Sequence, residues 1–199
     1  MGMIVTRRIT EDFSPFKFFL MLLLSICDPD EVWFTSRRMS TSLSNANDGS
    51  GKTVKDLLKD KDVYLVTGKD VANKDKYINN LANDLKSSAN VEVKIQPYWD
   101  VNEIYLRKKN RTVAAIMGSS ECIRRDLDKT PRTGDLYSFD TKTDVICFDS
   151  EYDEQIRKAC DEDPVVRAAI CDYKSICIRD GGFNLDDMFK SMHIQPDED

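Results

Sequence analysis

Polar and acidic residues follow several apolar runs of the sequence. They lie at positions 67–70, 96–100, 118–121 and 149–151. Glu121, directly after Ser119 and Ser120, has a catalytic interpretation as a carboxylate that faces a cleft. The alternative is structural, because hydroxyls and carboxylates at a helix start cap free backbone amides. The single histidine, His193, lies in the polar C-terminal tail, so a Ser-His-Asp or Cys-His set is not expected.

The six cysteines contain no CxxC pair and have no histidine at zinc-ligand spacing, so we predict no metal site. Cys147 and Cys177 lie inside apolar runs, which favours buried, unreactive thiols. The segment 49–53 resembles the end of a phosphate-binding loop, but Ala46 replaces the first glycine of that motif. Gly68 lacks the other glycines of a dinucleotide fingerprint, and we predict no cofactor.

A second group of residues has the composition of a protein contact. Tyr98, Trp99 and Asp100 form a loop of the kind that anchors interfaces, although Trp99 could equally fold back onto the core. Arg124 and Arg125 belong to a basic region that precedes a strongly acidic one. Such runs usually form solvated faces, but opposite patches on one domain also allow head-to-tail pairing between like domains.

Composition limits the class of protein. A chain of 199 residues with 41% apolar and 32% charged residues can bury one sizeable core. The formal net charge of −6 supplies no overall positive field, so nucleic acid is not expected as a partner.

The N-terminal region carries an apolar run of ten residues at 18–27. Such a helix rises about 15 Å, too short to span a bilayer, and resembles a signal-peptide core. Glu11 and Asp12 before it argue against secretion, and Met39 is a possible working start. We therefore predict an extension at 1–38, a flexible linker at 39–60, a folded domain at 61–192 and an acidic tail at 193–199. The expected location is cytoplasmic, or the secretory pathway if 1–27 acts as a signal peptide.

The folded region alternates apolar runs with amphipathic stretches. Strands are predicted at 63–66, 91–95, 112–117, 144–148 and 174–178, and helices at 78–85, 101–109, 119–129, 151–160 and 184–192. Alternating strands and helices predict an α/β fold with a doubly wound, five-stranded parallel sheet. A flavodoxin-like order of 2-1-3-4-5 fits best, with the second strand at an edge.

The order of these features resembles the SEFIR domains, relatives of TIR domains in interleukin-17 receptors and their adaptors. The resemblance covers about residues 61–192. It depends on the strand 63–67, the helix with Leu81, Ala82 and Leu85, the Trp-acid ending at Tyr98, Trp99 and Asp100, and the strand 115–120 that ends in serine.

The resemblance implies a non-catalytic adaptor or receptor-proximal module of innate immune signalling. It would pair with other SEFIR-domain proteins or receptor tails, or with itself, through Tyr98, Trp99, Asp100, Arg124 and Arg125. Membrane association would come only through a receptor or the N-terminal segment. The alternative is an NAD-cleaving hydrolase similar to catalytic TIR domains, in which Glu121 would be the catalytic glutamate.

Overall fold

The computed structural model describes residues 2–8, 14–69, 76–97, 101–127, 141–172 and 184–193, which form an α/β structure around one mixed sheet. The strands are β1 (Gly2–Arg8), β2 (Glu31–Thr35), β3 (Asp62–Gly68), β4 (Asn90–Gln96), β5 (Asn102–Lys108), β6 (Arg111–Gly118), β7 (Thr141–Phe148) and β8 (Ile170–Asp172). The helices are α1 (Pro15–Cys27), α2 (Ser42–Asn45), α3 (Val54–Leu57), α4 (Lys76–Leu85), α5 (Arg124–Leu127), α6 (Asp153–Glu162), α7 (Pro164–Ala169) and α8 (Leu185–His193). A 3₁₀ turn, Ser150–Tyr152, precedes α6.

The eight strands lie in the order β4-β3-β2-β5-β6-β7-β1-β8. Only β2, β3 and β4 run parallel, and every other neighbouring pair is antiparallel. The α/β class is confirmed, and the five-stranded flavodoxin-like sheet is wrong. The prediction that 91–95 is an edge strand is confirmed, because β4 ends the sheet.

The segment 101–109, predicted as a helix, is the reason for the different topology. It forms β5, which makes a hairpin with β6 across Lys109 and Asn110. Both turn residues have positive φ, 51° and 61°, as a tight two-residue hairpin turn requires. The hairpin makes β5 an antiparallel neighbour of both β2 and β6, whereas the expected helix at 101–109 would have been a crossover between two parallel strands.

Other predicted elements are found. Strands 63–66, 112–117 and 144–148 lie within β3, β6 and β7, and helices 78–85, 151–160 and 184–192 correspond to α4, α6 and α8. The helix predicted at 119–129 is reduced, within the described residues, to the four residues of α5. The strand predicted at 174–178 lies outside the described residues.

The N-terminal residues belong to the fold, which corrects the boundary predicted at residue 61. Helix α1 begins with Ser14 as N-cap and Pro15 in its first turn, and Phe19 and Leu20 are fully buried. Strand β2 lies between β3 and β5. The predicted linker also contributes to the core, since Leu43, Val54 and Leu58 are fully buried. Among the helices in the described ranges, none has both the length and the apolar character needed to cross a bilayer.

The sheet has apolar packing on both faces. On one face, α1 contacts β5 and β6 and shares a large core with α4 and the β2 and β3 side chains. On the other face, α8 places Leu185 and Phe189 against Trp33, Tyr105 and Cys147. This two-sided covering is typical of an α/β structure.

Candidate functional site

The loop that follows β6 is tied to β7 by hydrogen bonds. Ser120 donates its Oγ hydrogen to Asp144 Oδ2 over 2.5 Å, and its backbone amide donates to Asp144 Oδ1 over 3.0 Å. The Ser119 backbone amide donates to the Thr143 carbonyl at 3.0 Å. A Cβ at Gly118 would collide with Thr143 and Asp144, so only glycine permits this close approach. The two serines therefore anchor the loop to β7 and are not helix caps.

Two buried carboxylates support the same loop. Asp144 is almost fully buried, and burial raises its pKa although the Ser120 hydrogen bonds act in the opposite direction. Asp126, also buried, accepts a hydrogen bond from the Glu121 backbone amide at 2.8 Å. Lys142 Nζ lies 3.7 Å from Asp126 Oδ2 and supplies a nearby positive charge.

Glu121, the catalytic candidate, is held within this arrangement. Its side chain is 13% exposed, and Arg38 Nε lies 3.9 Å from Glu121 Oε1. It does not begin a helix, because α5 starts three residues later. The loop thus presents Glu121 to an arginine of the chain segment after β2.

The cavity at these strand ends is closed. It is lined by Thr35, Asn102, Glu103, Ser120, Cys122 and Asp144, among others, and leaves no room for a water molecule. A groove of about 490 Å³ lies along α1, and Glu121 is not among the described residues that line it. Neither space places a substrate-sized volume beside the Glu121 carboxylate.

Four cysteines of the described ranges are buried. Cys27, Cys122, Cys147 and Cys160 lie in the interior as thiols outside any disulfide. Burial raises the pKa of Cys27 to about 12 and that of Cys160 to about 11, and raises the pKa of Cys122 further. Nucleophilic thiolates are therefore not populated at these three positions near neutral pH.

Glu103 is a buried acid that the sequence analysis did not single out. It lies on β5 opposite Thr35, and its Oε2 atom has no hydrogen-bond partner. Burial raises the pKa of Glu103, partly opposed by the Tyr105 hydroxyl. The sequence 101–109 predicts a helix, and burial of Glu103 through Leu106 on both faces of the sheet leaves no alternation that would have indicated the strand.

The predicted contact residues are not all described. Tyr98, Trp99 and Asp100 lie outside the described residues, as does the side chain of Arg125. Arg124 is exposed on α5. Of these five predicted contact residues, Arg124 is the one whose side chain is described.

Exposed apolar residues flank positions 98–100 in the sequence. Ile95 and Val101, on the two sides of these positions, are 55% and 36% exposed, and Tyr77 in the first turn of α4 is 56% exposed. Since α4 connects the parallel strands β3 and β4, its first turn lies at the end of the sheet where Ile95 is found, one residue before the end of β4. The start of β5 lies opposite the end of β2, at the same end of the sheet. We call Tyr77, Ile95 and Val101 the strand-end patch.

An aromatic cluster occupies the opposite face of β2 and β3. Trp33 stacks on Tyr64 with ring centroids 4.2 Å apart, and Lys94 Nζ lies 4.3 Å and 4.4 Å from the two rings. His193, predicted in the tail, is the last residue of α8 and lies 4.8 Å from Trp33 between ring centroids. Burial, with smaller effects of Lys94 and Arg107, lowers the pKa of His193 to about 4. The alternation of Glu31, Trp33 and Thr35 with apolar residues was the available signal for β2.

Comparisons with known proteins give no family. No family model matches the chain, and no curated protein matches it. Among solved structures, it is similar to TrmBL2, described as an archaeal chromatin protein with a novel mode of DNA binding. That match has 13% sequence identity and a TM-score of 0.35, and covers 80% of this chain. The chain spans about half the length of TrmBL2, since 50% of that chain is covered.

Fold and site together define an α/β protein with a mixed eight-stranded sheet and hydrogen-bonded strand ends. The prediction that nucleic acid is excluded as a partner is corrected, because a DNA-binding chromatin protein is among the matching structures. At a TM-score of 0.35 that match assigns no function to this chain.

Proposed function

We propose that this chain is a protein-interaction module of the signalling-adaptor class that acts in the cytoplasm by associating with a domain of its own kind. The observation that carries the proposal is the strand-end patch. Among the described residues, Tyr77, Ile95 and Val101 are the exposed large hydrophobic side chains, and all three lie at one end of the sheet.

The three residues share one end of the sheet, although β3 and β2 lie between β4 and β5. Single exposed apolar residues are common, whereas several at one end of a sheet favour an interaction site. The sequence between Ile95 and Val101 contains Tyr98 and Trp99, residue types that are enriched at the centres of interfaces. The resemblance to SEFIR domains also supports an interaction role, although the parallel sheet that it implied is not the sheet observed.

The geometry around Glu121 favours binding over NAD cleavage. A catalytic carboxylate must reach the reacting atoms of a bound substrate. Glu121 instead faces Arg38, and the cavity lined by its neighbours Ser120 and Cys122 has no room for a water molecule. The hydrolase remains the rival that the experiment must address.

Association between two differently tagged copies of the full chain tests the proposal. Wild-type copies should co-purify, and Trp99→Ala and Tyr77→Ser should each weaken the association about tenfold or more, as expected for truncating an interface anchor. Asn80→Ser, at an exposed polar position of α4, serves as the control and should leave association unchanged. Wild-type copies that do not associate, or variants that associate as well as wild type, would contradict the proposal.

Incubation of the same full-length protein with NAD tests the rival. We expect no consumption of NAD by the wild-type chain. Consumption that disappears in Glu121→Ala would replace the interaction function with the hydrolase.

A further inference from the structure

The outer edge of β4 is a candidate for strand pairing. This strand ends the sheet, and within the described ranges no strand pairs with its outer side. The strand is seven residues long and pairs with β3 in unbroken register from Asp62–Asn90 to Gly68–Gln96. Its outward N–H and C=O groups therefore form a regular template for another strand.

The sequence of β4 is complementary to itself when reversed. If a second β4 lies antiparallel with the two copies of Val93 opposite each other, Glu92 faces Lys94 and Val91 faces Ile95. A two-fold axis through Val93 makes each of these pairs occur twice. Asn90 and Gln96, both side-chain amides, meet at the ends.

Each pair is one that stabilises antiparallel strands. Opposite charges and β-branched apolar residues directly across from one another are favourable, and like charges are unfavourable. Edge strands usually carry charges that prevent such pairing. In β4, an axis through Glu92 or Lys94 puts like charges opposite each other, whereas the axis through Val93 pairs opposite charges.

One side chain of β4 must move for this pairing. Lys94 Nζ lies 4.3 Å and 4.4 Å from the rings of Trp33 on β2 and Tyr64 on β3, so it extends away from the outer edge and has to turn outward to meet the Glu92 of a second copy. Glu92 lies on the same face as Lys94, two residues earlier, and is exposed. Ile95 is 55% exposed and would be covered by the Val91 of a second copy.

We propose that two copies of this chain pair through β4 in antiparallel register about Val93, which joins two eight-stranded sheets into one continuous sheet. This inference rests on the proposed homotypic association and specifies its geometry. The occupant of the edge is a second copy because charge, apolar and amide positions all match under the same two-fold axis.

Charge reversal tests the register in the full-length protein. Glu92→Lys puts lysine opposite Lys94 in both pairs, and Lys94→Glu puts glutamate opposite Glu92. Each single variant should associate about tenfold more weakly than wild type in sedimentation at low salt. The double variant Glu92→Lys with Lys94→Glu restores opposite charges and should recover to within about threefold of wild type.

Mixing the two single variants provides a test that does not depend on the stability of either one alone. The Glu92→Lys copy presents two lysines and the Lys94→Glu copy presents two glutamates, so the mixed pair should be about tenfold or more tighter than either self-pair. Circular dichroism of each variant checks that the chain folds. A mixed pair no tighter than the self-pairs would overturn the register.

Cross-linking locates the axis. Paired residues of antiparallel strands have Cα atoms about 4.5–5.5 Å apart, within reach of a disulfide. Val93→Cys should form a disulfide dimer on mild oxidation, and Asn80→Cys on α4 should not.

The outcomes separate this inference from the proposed function. Three results together would overturn the β4 pairing and leave the homotypic function intact. Trp99→Ala would weaken association, charge changes at positions 92 and 94 would leave it unchanged, and Val93→Cys would form no cross-link. Failure of wild-type copies to associate would overturn both.

Discussion

Two serine-aspartate hydrogen bonds show how burial changes the same contact. Ser120 donates to Asp144 over 2.5 Å inside the protein, and Ser50 donates to Asp48 over 2.6 Å on the surface. The Ser50 hydrogen bonds lower the pKa of Asp48, whereas burial outweighs the Ser120 hydrogen bonds and raises the pKa of Asp144. The hydroxyl of Ser120 therefore satisfies a group that water cannot reach.

We expect Ser120→Ala to lower the free energy of unfolding by about 1–3 kcal/mol, because it leaves a buried carboxyl oxygen without its donor. Ser50→Ala removes the same kind of hydrogen bond at an exposed site and should change the free energy of unfolding by less than about 0.5 kcal/mol. Urea unfolding of both variants at neutral pH makes the comparison. Equal effects would show that Ser120 does not support a buried acid.

Glu103 provides a prediction about pH. Its pKa is raised above the ordinary 4.5 in the folded chain, so the folded state binds more protons than the unfolded state between those two pKa values. Stability must therefore fall as pH rises through that interval. Glu103→Gln removes the ionisation and should make the protein more stable than wild type at pH 7, with little difference near pH 4.

Unfolding free energies of wild type and Glu103→Gln, measured from pH 4 to pH 8, check this prediction. Glu162→Gln, at an exposed position of α6, is the control and should follow the wild-type profile. A wild-type protein that is more stable than Glu103→Gln at pH 7 would mean that another group stabilises the Glu103 carboxylate.

Helix α8 illustrates what packing does at the scale of an element. Its spacing of Leu185 and Phe189 predicts one apolar side, and that side covers the second face of the sheet. The helix also extends to His193, which the sequence placed in a polar tail, because the imidazole fits among Trp33, Tyr105 and Phe189. The apolar surroundings favour the neutral ring.

His193 should therefore titrate well below its ordinary pKa of 6.5, near 4. A folded-state pKa below the unfolded value means that stability is lost as pH falls from about 6.5 through that lower value. The chain has one histidine, so nuclear magnetic resonance of its ring reports the titration without overlap. His193→Phe should reduce the acid-induced loss of stability, and a midpoint near 6.5 would contradict the buried position.

Hydrophobic periodicity predicts some elements and misses others. The strands β3, β6 and β7 are recognised from their apolar runs, and the helices α4 and α6 from apolar residues at helical spacing. Asn102–Lys108 was misassigned because four consecutive side chains, from Glu103 to Leu106, are buried on both faces of the sheet, which removes a clear alternation. A central strand of this kind cannot be distinguished from a short buried helix by period alone.

The whole molecule depends on its first 60 residues. Strand β2 pairs with β3 on one side and β5 on the other, from Glu31 to Thr35. The Glu31 carboxylate accepts a hydrogen bond from Arg107 at 2.8 Å, which adds a side-chain link between β2 and β5. Helix α1 lies beneath β5 and β6 and fills the centre of the larger core.

A chain that begins at residue 61 should not fold. Its loss of β2 separates β3 and β4 from the rest of the sheet, and its loss of α1 exposes the core face of β5 and β6. We expect a far-ultraviolet circular dichroism spectrum without native β signal and no cooperative unfolding transition. The full chain is the control, and a cooperatively unfolding 61–199 fragment would re-establish the domain boundary predicted from sequence.

Local sequence determined the elements that composition and hydrophobic periodicity predict. These are the apolar run of β3, the edge position of β4, the apolar face of α4 and the apolar face of α8. It also determined that the cysteines in apolar runs would be buried, as Cys147 is. Strand direction and neighbours were decided only by tertiary structure. They depend on long-range pairings, such as Glu31 with both Asp62 and Arg107, that leave no periodic signal near either partner. The same holds for α1, whose apolar run has the composition of a leader and becomes a core helix because the sheet offers a face for it to cover.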